Sequence, residues 1–146
     1  MDLIRPDIHP EHKWIDTTSA PLYVLSYPEG KGETQYLKEL QAMYDAIVYW
    51  LHNSPAVHAT ISDLRKLTSS ARGRAMAADF YQKVAAFSPL YLACRAYIIS
   101  DISQQTIMTA VYWQTPSDVP RKFFASVEDA KNWCWPLVRD FERQES

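Results

Sequence analysis

The 146-residue sequence predicts an α/β fold, one domain with a mainly parallel or mixed sheet of four to five strands and about four helices. Three observations carry this expectation. Short apolar or alternating runs of strand length take turns with longer segments of helical period, roughly four times over, the order that builds a helix-covered parallel sheet. Proline- and glycine-bearing clusters separate these segments, while no repeat, low-complexity tract or internal linker divides the chain. The residues are 47% hydrophobic and 13% aromatic, enough for one core at a length that buries about 68–70% of the unfolded surface.

Residues 1–13 read as a flexible leader, because Pro6 and Pro10 restrict the backbone and no period is present. The domain then runs over 14–146. Trp14 to Asp16 is expected to pair, across a turn at Thr17–Ala20, with the apolar run Leu22-Tyr23-Val24-Leu25. Tyr36, Leu37, Leu40, Met43, Tyr44, Ile47, Val48 and Leu51 recur at three- and four-residue steps, so the first long helix presents one apolar stripe. Asn53-Ser54-Pro55 ends it, since a residue before proline avoids helical dihedrals. Val57, Ala59 and Ile61 alternate with His58, Thr60 and Ser62, the period of a strand.

After a connector at Asp63–Ser70, a second helix spans Ala71 to Phe87 with Met76, Phe80, Val84 and Phe87 inward and Ser88-Pro89 as its stop. Leu92 to Ile99 is apolar apart from Arg95, as in a strand covered on both faces. Ser103 to Trp113 fits a short helix or a strand, the Ile107/Val111 spacing favouring helix. A loop at Thr115–Asp118 leads to a strand at Lys122–Ala125. Ser126-Val127-Glu128-Asp129 opens the last helix, with a serine to accept an early N–H and two acids against the positive helix end. Its stripe is Ala130, Trp133, Cys134, Leu137 and Phe141, and Pro136 is expected to kink it or end a first segment. Tyr49, Trp50 and Trp135 fall off the main stripes and read as core or edge packing, with an exposed contact surface as the alternative.

Composition narrows the function classes. A net charge of -2 argues against broad nucleic-acid binding, and no apolar run reaches the roughly 18 residues of a membrane span. The polar, proline-interrupted N-terminus is unlike a signal peptide, and two cysteines are too few for a disulfide framework, so a cytoplasmic location without membrane insertion is expected. His9, His12, His52 and His58 lack the spacing of a zinc site. Cys94 and Cys134 sit in apolar settings and read as core fillers, a Cys94–His58 pair staying open as an alternative. Lys31 between two glycines lacks the spacing of a phosphate loop. No triad, metal spacing or nucleotide loop emerges, so the expectation is a protein that is not an enzyme and uses no cofactor.

The most informative segment is the connector Arg65-Lys66-Leu67-Thr68-Ser69-Ser70-Ala71-Arg72-Gly73-Arg74, with four cations in ten residues. Arg72 and Arg74 fall in the first turn of a helix, where each cation costs roughly 0.3–1 kcal/mol against the macrodipole. One reading is an anion or acidic-partner site at the carboxyl ends of the strands, lined by Asp63, Arg65, Ser69, Ser70, Arg72, Arg74 and Asp101, with Ser69 and Ser70 as candidates for phosphorylation. The other is a solvated basic turn in which Ser70 caps the helix. Asp63 and Asp101, each at a strand end, form an acidic pair or serve as turn and cap residues.

Three stretches carry a family likeness: Val57-His58-Ala59-Thr60-Ile61-Ser62-Asp63-Leu64, Met108-Thr109-Ala110-Val111-Tyr112-Trp113, and Arg121 to Trp133 with its Phe and Glu-Asp-Ala-Lys-Asn-Trp. Together they resemble the central strand, the segment before the last strand and the closing strand and helix of the STAS domain (the anti-sigma-factor antagonist fold) and its SpoIIAA-like relatives. The resemblance covers about residues 14–140 and implies a STAS-like fold. It further implies a noncatalytic bacterial regulatory or scaffolding module that binds a protein partner near the second helix start and is switched by serine phosphorylation. Ser69 and Ser70 match the phosphorylated serine by position, while the aspartate that precedes it in signalling members is absent here. The resemblance also admits a small-molecule or lipid-binding protein, with an apolar pocket between residues 103–113 and the sheet. A homo-oligomer is compatible with the sheet edge.

Overall fold

The structure, a computed structural model, describes residues 6–30, 32–67, 70–103, 105, 106, 109 and 119–145. Its strands are β1 (Ile15–Asp16), β2 (Leu22–Ser26), β3 (His58–Asp63), β4 (Leu92–Ile98) and β5 (Arg121–Phe124). Its helices are α1 (Glu33–Asn53), α2 (Ala71–Val84), α3 (Ser88–Tyr91) and α4 (Val127–Glu145). They form one α/β domain around a mixed sheet of order β1-β2-β3-β4-β5. The hairpin expected at the start is present: β1 runs antiparallel to β2, with Ile15 opposite Leu25. All later pairs are parallel, with Val24 beside Ile61, Ile61 beside Ala96 and Ala96 beside Lys122.

Side chains alternate across the sheet, so each strand feeds two cores. Leu22 and Val24 of β2, Ala59 and Ile61 of β3, and Cys94, Ala96 and Ile98 of β4 meet Ala130, Cys134 and Val138 of α4. Tyr23 and Leu25 of β2 and Tyr97 of β4 meet the stripes of α1 and α2 on the opposite face. Crossovers of one hand between successive parallel strands place consecutive helices on the same side, which is why α1 and α2 share a core. The C-terminal α4 is left to cover the other face.

Several expectations change in detail. Trp50, expected off the α1 stripe, is 2% exposed, because the stripe is wide enough to include it beside Ile47 and Leu51; Tyr49 does point outward, at 71% exposed. Helix α2 stops at Val84, short of Phe87, as the Phe87 N–H turns onto the Val84 carbonyl at 2.9 Å. Pro89 does not stop a helix there. It sits in the first turn of α3, where its missing N–H removes no helical bond. Of the ambiguous segment, Ser103, Gln105, Thr106 and Thr109 are helical, as is Ile102 just before it, and Thr106 Oγ1 donates to the Ile102 carbonyl at 3.0 Å. The expected loop at 115–118 lies outside the described residues.

Helix α4 opens as expected, the Asp129 N–H donating to Ser126 Oγ at 3.2 Å. It runs on through Pro136 without ending a first segment. Pro136 is exposed, about half a turn from the buried Cys134 and Val138, so its ring stays out of the core. The stretch read as a leader is tied down from residue 8 onward. The Trp50 indole donates to the Ile8 carbonyl at 2.6 Å, His9 Nδ1 meets the Tyr23 hydroxyl at 2.8 Å, and His12 Nε2 meets Glu39 at 3.0 Å. No described helix is long and apolar enough to cross a membrane.

Candidate functional site at the sheet edge and beneath the helices

Parallel strands that alternate with helices end at one edge, so the turns after β2, β3 and β4 gather there. Asp63 closes β3, and its carboxylate turns back onto the connector. Arg65 donates to it from Nε at 2.9 Å and from Nη2 at 2.7 Å, and the Arg65 backbone N–H adds a third bond at 3.2 Å. The Arg65 hydrogen bonds hold the Asp63 carboxyl below its ordinary range, and the same pair raises the guanidinium. Two residues expected to face a ligand separately are thus one bidentate pair. Its Arg65 side chain is 45% exposed, so the pair orders the connector more than it stabilises the fold.

Beside this pair lies an open groove of about 560 Å³, walled by Trp14, Tyr27 and Pro28 and edged by Lys13, Arg65 and Lys66. Lys13 reaches Glu39 at 3.2 Å and, with His12, keeps the Glu39 carboxyl below its usual range. The rim carries three cations, of which Arg65 is paired with Asp63, itself part of the lining, and Lys13 with Glu39; the walls are aromatic. Lys13 and the aromatics Trp14 and Tyr27 had no functional signal in the sequence, because β1 and β2 bring them to Arg65 from 38 or more positions away.

Ser70 is the N-cap of α2: its Oγ accepts the Gly73 N–H at 3.0 Å. The capping alternative therefore holds for its hydroxyl. Arg72 and Arg74 are exposed in the first turn, as expected, on a helix with no acidic residue there. Asp101 is exposed at the end of the turn after β4, and its carbonyl accepts the Gln105 N–H at 3.1 Å. Asp63, the other strand-end acid, is the one bound to Arg65. Ser69 lies outside the described residues.

A second feature lies under α1 and α2. The polar partners of the β3 alternation, His58, Thr60 and Ser62, face these helices together with Arg95 of β4, and line a cleft walled by residues such as Leu51, Phe80 and Phe87. His58 donates from Nδ1 to the Ala56 carbonyl at 2.8 Å and lies edge-on to Trp50 at 5.0 Å. Burial, aided by the Arg95 charge, lowers its pKa to about 4. Arg95 Nη2 donates to Ser88 Oγ at 3.1 Å, and its guanidinium lies 5.1 Å from the centre of the Tyr81 ring. The one signal for this cleft was a lone arginine in an apolar strand.

The pairing of Cys94 with His58 is excluded by the pleat. His58 faces α1 and α2, whereas Cys94 is buried on the α4 face against Cys134, whose thiol hydrogen bond and burial push the Cys94 thiol up. Among the described residues no group of three or more His, Cys, Asp and Glu is placed to hold a metal.

No protein-family model, curated protein or solved structure matches the chain.

Proposed function

We propose that this protein is a noncatalytic regulatory or scaffolding module that binds an acidic segment of a protein partner along the carboxyl edge of its sheet. The observation that carries the reading is the groove rimmed by Lys13, Arg65 and Lys66, with Trp14 and Tyr27 as its walls. Aromatic and arginine side chains are enriched at protein interfaces, and exposed cations steer an acidic partner on approach. Arg72 and Arg74 add two exposed cations in the first turn of α2, where the macrodipole disfavours them. The STAS resemblance of the sequence points to the same class of module.

Phosphorylation of Ser70 belongs to the proposal as its switch. The added phosphate would bring about -1.5 to -2 charge beside Arg72 and Arg74 at a helix start, filling the surface an acidic partner needs. The test is capture of the partner by immobilised protein, compared with Lys66→Glu and with Arg72→Glu/Arg74→Glu. The expected result is a partner lost with either charge reversal and with Ser70→Glu. Undiminished capture by all three variants refutes the surface. Phosphopeptide mapping that finds Ser69 and Ser70 unmodified in the host removes the switch alone.

A further inference from the structure

Cys94 and Cys134 are the two cysteines of the chain, and the fold brings them together from 40 positions apart. Alternation along β4 turns Cys94, with Ala96 and Ile98, toward α4. The helical period of α4 turns Cys134, with Ala130 and Val138, toward the sheet. Cys94 has small neighbours, Ala59 beside it on β3 and Ala96 after it on the same face, which leave room for the helix to come close. The two thiols meet there within hydrogen-bond reach, both 0% exposed. A small apolar residue fills such a position equally well; what two facing thiols add is the capacity to be joined. One comes from the sheet and the other from near the middle of the helix that closes this face, so a bond between them spans the core.

We propose that Cys94 and Cys134 are a modification site, joined under oxidising conditions as an intramolecular disulfide that fastens α4 to β4. The oxidant is a low-molecular-weight disulfide of the oxidised-glutathione class. One cysteine thiolate attacks it, forming a mixed disulfide and releasing one small thiol; the second thiolate then displaces the other small thiol as the protein S–S bond forms. The two cysteines give up two electrons and two protons, the electrons reduce the small disulfide, and the protons end on the two released thiols. Thiols already in contact are the starting geometry this needs, since cysteines held far apart cannot join without backbone movement. Both sulfurs are sealed from solvent in the folded chain, so the exchange takes place while α4 is off the sheet, and docking of α4 then shields the bond from reductant. The pair shares no residue with the groove at the sheet edge, so it stands apart from the partner surface proposed above.

The full chain, unfolded in urea, is refolded by dilution into a mixture of reduced and oxidised glutathione, and into dithiothreitol as the reduced control. The glutathione product is expected to be about 2 Da lighter by mass spectrometry, to show no thiol when titrated in denaturant, and to yield a peptide pair joined through Cys94 and Cys134. Its urea midpoint should lie at least about 1 M above that of the reduced protein, because the bridge restricts the unfolded chain over a loop of this length. Cys94→Ala and Cys134→Ala, each of which leaves one thiol, should unfold at the same midpoint after either refolding. The proposal is overturned if the chain refolded in glutathione keeps both thiols free, or if it carries glutathione on a cysteine in place of the internal bond. It is also overturned if the bridged protein unfolds at or below the midpoint of the reduced one.

Discussion

Replacing His58 by asparagine should flatten the acid limb of the protein's stability. His58 is 4% exposed, ringed by Trp50 and Tyr23, and its pKa is lowered from 6.5 to about 4, chiefly because burial disfavours the charged form. The Ala56 and Tyr91 carbonyls favour the cation but do not outweigh that burial. Above pH 6.5 neither the folded nor the unfolded chain holds this proton. As pH falls from 6.5 toward 4 the unfolded chain takes it up and the folded chain does not, so stability falls with pH throughout that window. The loss reaches about 2.5 kcal/mol at pH 4.5 and levels off below pH 4, where the folded ring protonates too. Asparagine retains an N–H donor for the Ala56 carbonyl and cannot titrate. Urea unfolding from pH 7.5 to 4.5, followed by tryptophan fluorescence, should show the wild type losing about 2.5 kcal/mol more than His58→Asn across that range. Parallel pH profiles, or a His58 ring that titrates near 6.5 in the folded protein by NMR, would refute the reasoning.

The Ser70 cap and the buried thiols are open to equally direct checks. Ser70→Ala removes the acceptor of the Gly73 N–H and should cost about 1 kcal/mol in chemical denaturation, whereas Ser70→Asp should retain most of that stability; equal losses would mean that the cap is not what Ser70 contributes. Cys94 and Cys134, both 0% exposed, should resist a thiol reagent in the native protein and react fully in denaturant. Rapid labelling of either under native conditions would show that α4 opens from the sheet.

Much of the fold was legible in local pattern. The α1 stripe, the Ser126 cap, the breakers around β2 and the continuous apolar run of β4 each depend on neighbours a few residues apart, and each is where the period placed it. Trp50 and Phe87 went astray because a stripe's width, and the residue at which a helix gives way to a turn, are settled by what packs against them. Within the candidate site the same division holds. Arg72, Arg74 and the Ser70 cap belong to one helix start and could be read from it.

The sequence by itself determined the order of elements, the apolar faces of the helices and the cationic connector, since all three follow from periods and propensities within single segments. Tertiary structure alone decided that Asp63 binds Arg65, that Lys13 and Trp14 join them at one groove, and that His58, Thr60, Ser62 and Arg95 line a cleft under α1 and α2. The physical reason is the pleat. Alternation along β3 tells which residues share a side, but which side is polar and covered is fixed only when α1, α2 and α4 choose their faces.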